Sequence, residues 1–118
     1  MEGAQLVWAC DLIEERAQKA KDDFGFEKYT LDYPDILNDS SIDAVCIFTK
    51  IEMHATLCIE AAAAGKHIFS QKPFAYNIEE GRKIIRAVDE AGVKLTPSFM
   101  HSYMDGSIAA RRIVEEGK

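Results

Sequence analysis

A chain of 118 residues makes one domain at most, large enough for a real core but too short for two full domains. Hydrophobic residues at 47% and charged residues at 29% are ordinary for a soluble globular protein, and a net charge of -6 argues against nucleic acid or an anionic membrane as main partner. No run approaches the roughly 18 apolar residues of a membrane span, and Met1-Glu2-Gly3 lacks the basic start of a secretory signal, so the cytoplasm is the default expectation.

Gln5 to Cys10 is a mostly apolar run of strand length, and its continuity suggests burial on both faces of a sheet. A helix is expected from Asp11, because Ile13, Ala17, Ala20 and Phe24 fall on one helical face; Gly25 closes it. Lys28 to Thr30 suits a short strand and Pro34 to Leu37 a short helix, proline being tolerated in a first turn. Ile42 to Thr49 is the clearest buried strand, since β-branched and aromatic residues follow the polar turn Asn38 to Ser41. Lys50 to Glu52 then make a loop and Met53 to Ala64 a helix.

The alanines Ala61 to Ala64 propagate that helix, Gly65 suits the left-handed position past its end, and Lys66 with His67 suit its negative pole. His67 to Ser70 predicts a strand, and Pro73 forbids its ladder from continuing, which leaves Lys72 at the carboxyl end. Asn77, with Glu80 three residues on, forms a capping-box-like start to a helix reaching Ala91. Its expected core face is Ile78, Gly81, Ile84, Ile85, Val88 and Ala91. Gly92 stops it, Val93 to Thr96 is a fifth strand before Pro97, and Asp105 to Glu116 a last helix with Ile108, Ala109, Ile113 and Val114 inward.

Cys10, Cys46 and Cys58 are odd in number, widely spaced and set in apolar stretches, so they read as small buried hydrophobes rather than a disulfide frame or zinc site. No metal-ligand spacing, Gly-x-Ser-x-Gly elbow or phosphate-cradling glycine loop occurs. Strands alternating with amphipathic helices imply an α/β fold: a doubly wound parallel sheet of five strands with helices on both faces. Ligands of such sheets bind outside the carboxyl ends of the strands, which makes Lys72 a candidate for chemistry.

The alanine-rich helix, Gly65-Lys66-His67, the short strand and Gln71-Lys72-Pro73 together resemble the NAD(P)-dependent oxidoreductases of the glucose-fructose oxidoreductase, inositol dehydrogenase and MocA group. That family has Glu-Lys-Pro where this chain has Gln71-Lys72-Pro73. The resemblance runs over almost the whole chain and covers the later part of the family's nucleotide-binding domain. The glycine-rich first strand and turn, and the carboxyl-terminal substrate domain, have no counterpart in it. It implies that residues 1–118 are a truncated Rossmann-like domain starting at the second strand of the order 3-2-1-4-5-6. Without the central strand the order becomes the flavodoxin-like 2-1-3-4-5, which closes if the strand of Val7 pairs directly with that of Val45. Otherwise two sheet edges stay unpaired, open to a partner chain.

The same resemblance assigns the site. Asp11 sits where an acid hydrogen-bonds the adenosine ribose hydroxyls, favouring NAD over NADP by repelling the extra phosphate; the alternative is an N-cap for the next helix, and both can hold. Thr49 is implied to line the nicotinamide side. The family usually has Thr-Pro-Asn, two residues and a histidine, whereas Thr49-Lys50-Ile51-Glu52-Met53-His54 keeps the threonine and histidine and replaces the proline and asparagine. His54 is then a cofactor-side residue, or one that caps or packs. Gln71, Lys72 and Pro73 are implied beside the cofactor, with Lys72 catalytic: its ammonium would polarise a carbonyl or relay a proton during hydride transfer. Gln71 keeps a hydrogen-bonding shape but drops the charge that would steady that ammonium. Pro73 is expected to be a rigid positioning element, a cis bond being one of its two options. His101, Tyr103 and Asp105 read as a polar loop, and Arg111 with Arg112 as a solvated helix face.

Hydride transfer between NAD or NADP and a sugar or polyol carbon is the activity implied for the intact family. For the isolated chain the expectation is weak cofactor binding and no turnover, because the pyrophosphate-binding turn and the second domain are not in it. The alternative is a non-catalytic module of the same fold, assembling as a homo-oligomer through its sheet edge or last helix. A receiver-like signalling domain would need an aspartate at the end of the third strand, where Thr49-Lys50 stands.

Overall fold

The computed structural model describes residues 3–117. Along the chain run β1 (Trp8–Cys10), α1 (Glu14–Phe24), β2 (Lys28–Thr30), α2 (Pro34–Asn38), β3 (Ala44–Ile47), α3 (Ile51–Ala63), β4 (His67–Ser70) and α4 (Ile78–Ala91). They are followed by β5 (Leu95–Pro97), a short 3-10 helix (Met100–Tyr103) and α5 (Asp105–Glu115). Every paired strand runs parallel to its neighbour, as right-handed helical crossovers require. The fold is the α/β Rossmann-like class. No helix among the described residues is long and apolar enough to cross a membrane.

The strands form two sheets rather than one, β1-β2 and β3-β4-β5. The closed order 2-1-3-4-5 is therefore corrected: β1 does not pair with β3, and each keeps an unpaired edge. Each sheet is held by its own helices, α1 on β1 and β2, α3 on β3 and β4, so closing the gap would mean moving a whole layer. Side-chain bridges join the halves at their present separation, among them Trp8 Nε1–H to Asp39 Oδ2 at 2.8 Å and Tyr33 O–H to Glu60 Oε2 at 2.6 Å.

The core sits on the larger sheet, where Ile47 and Ile68 meet Cys58, Ala61 and Ala62 of α3 and Ile84 of α4. Small side chains on α3 let it approach the strands closely. The helix ends at Gly65, whose φ of 73° is the left-handed conformation; Lys66 N–H returns to Ala61 O and Gly65 N–H to Ala62 O. Lys66 does something the sequence hid. Instead of serving the helix pole it is 5% exposed, and its ammonium donates to Asp39 O at 2.7 Å and Ile42 O at 2.9 Å, tying the turn before β3.

Several expected faces differ. Strands β1, β3 and β5 are shorter than their apolar runs, and α3 begins at Ile51, inside the expected loop. On α4, Gly81 and Ile84 are buried and Val88 half-buried, but Ile78, Ile85 and Ala91 are exposed, because one sheet and α3 cover only one side of the helix. On α1 only Ala17 of the proposed face is fully buried; Ile13 and Phe24 are exposed. The expected inward face of α5 is exposed throughout, since α5 packs on the 3-10 helix and nothing else to a comparable extent. Of the three free thiols only Cys58 is buried, while Cys10 and Cys46 are exposed.

Candidate functional site

The site begins where β4 ends. Gln71 N–H donates to Ile47 O at 3.0 Å, which continues the β3-β4 pairing one residue past the strand. Lys72 N–H then turns to Ser98 Oγ at 3.0 Å, and Ser98 N–H to Ser70 O at 2.8 Å, so the end of β5 anchors the lysine's backbone. The Lys72–Pro73 peptide is cis. The Lys72 side chain is exposed, and among the described residues its ammonium shares no hydrogen bond or ion pair; Gln71 is exposed beside it. The parallel strands thus deliver a free cation on a fixed backbone at their carboxyl edge.

Thr49 stands on the same edge, two residues past β3, exposed, with Oγ1 3.3 Å from Lys50 O. His54, one turn into α3, is 1% exposed. Its Nδ1 lies 2.9 Å from Pro73 O and its Nε2 3.2 Å from Thr49 O. Both ring nitrogens are therefore engaged with backbone, as in the packed alternative, and neither faces the crevice.

Asp11 follows β1 directly. Its Oδ1 accepts Ile13 N–H at 2.9 Å, an Asx turn that leads into α1, whose N-cap is Ile13 rather than Asp11. Among the described residues the second carboxylate oxygen makes no hydrogen bond. Burial, and then the negative charges of Asp11, Asp32 and Asp35, push the Cys10 thiol pKa up, so three carboxylates gather at this strand end.

Among the described residues no group of His, Cys, Asp or Glu could hold a metal. The Asp11 carboxylate, the Thr49 hydroxyl and the Lys72 ammonium each stand past the carboxyl end of a strand, the edge at which parallel α/β sheets bind their ligands. The residues missed from sequence are Ser98, Lys66 and Asp39. A serine after a proline carries no pattern of its own, and a lysine after a glycine stop resembles any helix-end cation.

A parallel α/β layer with polar and charged residues exposed at the carboxyl ends of its strands is the Rossmann-like class. The chain belongs to the oxidoreductase family with the NAD-binding Rossmann fold, the glucose-fructose oxidoreductase, inositol dehydrogenase and MocA family, which matches over residues 1–99. It is 34% identical over 116 residues to scyllo-inositol 2-dehydrogenase (NAD(+)) of Bacillus subtilis, covering 98% of this chain and 34% of that protein. It is 36% identical over 103 residues to levoglucosan dehydrogenase of Pseudarthrobacter phenanthrenivorans, covering 87% of this chain and 26% of that protein. A solved levoglucosan dehydrogenase, in complex with NADH and levoglucosan, superposes with a TM-score of 0.90 at 33% identity, over 96% of this chain and 30% of that one. The chain spans about a third of the length of the first of these relatives.

Proposed function

We propose that these 118 residues are the Lys72-bearing part of an NAD-dependent oxidoreductase acting on a sugar or polyol. The observation that carries it is the free ammonium of Lys72 on a backbone fixed by Ser98, Ile47 and His54 at the carboxyl edge of parallel strands. When bound, a nicotinamide dinucleotide supplies the hydride acceptor or donor. Lys72 holds or relays the proton of the substrate hydroxyl, Thr49 lines the same edge, and Gln71 offers an amide where the family has a carboxylate. Among the described residues no carboxylate pairs with Lys72, and the Gln71 amide carries no charge.

Asp11 takes the ribose hydroxyls with its unbonded oxygen. The cluster of Asp11, Asp32 and Asp35 repels a 2′-phosphate, which favours NAD over NADP. No glycine-rich phosphate turn occurs in the 118 residues, and the β1 and β3 edges are unjoined. We therefore expect weak binding and no turnover from these residues by themselves. Calorimetric titration with NAD tests this: a weak isotherm is expected, and low-micromolar affinity would overturn it.

A second reading, a non-catalytic module that self-associates, is favoured by the two unpaired strand edges and by the exposure of Ile113 and Val114 on α5. Light scattering decides it: a dimer supports the module, and a monomer across the working concentration range removes it.

A further inference from the structure

The His54 ring presents an unequal problem. It is 1% exposed and meets two carbonyl oxygens, Pro73 O from Nδ1 at 2.9 Å and Thr49 O from Nε2 at 3.2 Å. A carbonyl can only accept. A neutral imidazole has a single N–H, so it satisfies one carbonyl and sets a nitrogen lone pair against the other, whereas the imidazolium donates to both. Of the two contacts, the one from Nδ1 to Pro73 O is the shorter.

We propose that His54 is a proton-gated positioning residue for Lys72. Its ring is a strut between the end of β3 and the Lys72–Pro73 turn. The neutral ring holds the turn through Nδ1–H, and uptake of a second proton at Nε2 adds the bond to Thr49 O, drawing the two lips of the crevice together. His54 acts through Pro73 and touches neither cofactor nor substrate. The catalytic consequence rests on the role proposed for Lys72; the strut itself does not.

The charged groups nearest the ring along the chain are Lys50 at the α3 N-cap and Glu52 in its first turn, with Lys72 on the turn that the ring holds. Cys58 lies one turn further along α3, its thiol bonded to Ser70 of β4 and its pKa raised by burial. On α4, packed along α3, Glu80 has a buried Oε2 with no hydrogen-bond partner among the described residues. None of them bonds to the ring.

Nitrogen-15 NMR of the whole chain across a pH titration tests the strut. An amide shift reports the hydrogen bonding of the preceding carbonyl, so Lys50 N–H reports Thr49 O and Phe74 N–H reports Pro73 O. On raising the pH, His54 is expected to lose its proton from Nε2 and keep it on Nδ1. The Lys50 amide should move with the same midpoint as the ring, more than Phe74 does. His54→Gln, which donates but does not titrate in this range, should abolish that movement; replacing His67 or His101 by Gln should leave it. A Lys50 amide that stays still while the ring titrates, or that still moves in His54→Gln, would overturn the proposal. These readouts need no nucleotide, so the strut and the proposed function fail separately.

Discussion

The indole N–H of Trp8 on β1 donates to Asp39 Oδ2, in the turn before β3, at 2.8 Å, so a side chain spans two strands whose backbones do not meet. Asp39 also accepts from Ser41 Oγ at 2.6 Å and Ser41 N–H at 2.9 Å, with Lys28 Nζ at 3.9 Å and 4.8 Å over the Trp8 ring. The Ser41 hydroxyl first, then the indole, hold the Asp39 carboxyl well below the usual carboxylate range.

That depression sets a pH dependence. A carboxylate with a lowered folded-state pKa contributes stability that is fully present above its unfolded value, about 3.9, and is lost as pH falls through the folded value. Trp8 is the chain's one tryptophan. Its fluorescence should stay level down to about pH 4 and change below it as the β1-β2 half loosens from the rest. Asp39→Ala should show the acid spectrum already at neutral pH; an unchanged neutral spectrum would refute the bridge.

Core and surface isoleucines of α4 should separate cleanly. Ile84 is fully buried, so Ile84→Ala should cost about 3 kcal/mol in urea unfolding. Ile78 is 76% exposed, so Ile78→Ala should stay within about 0.5 kcal/mol. Asn77→Ala, which removes the acceptor for Glu80 N–H at 2.9 Å, should fall between them at about 1 kcal/mol.

Deleting α5 should leave the unfolding midpoint of the rest unchanged, because every residue of that helix is exposed and it packs mainly on the 3-10 helix. A lowered midpoint would show that α5 supports the core.

Asp11→Asn should shift nucleotide preference. Removing one charge from the group Asp11, Asp32 and Asp35 should raise the NADPH to NADH binding ratio by about fivefold, the worth of one solvent-screened interaction near 1 kcal/mol. Competition measured by NMR line shifts checks it, and an unchanged ratio would take Asp11 out of the ribose site.

The fold class and the position of Lys72 were legible because they rest on local signals: the glycine stop at Gly65, the strand His67–Ser70 and the proline after Lys72. Asn77 as a cap was legible for the same reason. Tertiary facts were not. Whether β1 would meet β3 depended on what each sheet packs against, which no periodicity encodes. The amphipathic patterns of α4 and α5 state which faces could be buried, and the layers present decide which are. Lys66 was misread because a long side chain reaches past its own helix end to carbonyls more than twenty residues away in sequence. His54 was left open between two roles, and only coordinates could show both its nitrogens turned to backbone.

Chemical-shift mapping of the labelled chain with NADH is the most direct test of the claim that Asp11 and Lys72 border one nucleotide crevice. At millimolar nucleotide the shifts are expected to concentrate at Asp11, Thr49, Gln71 and Lys72, at the carboxyl ends of β1, β3 and β4. Shifts confined to the outer faces of α4 and α5, or none at all, would contradict it.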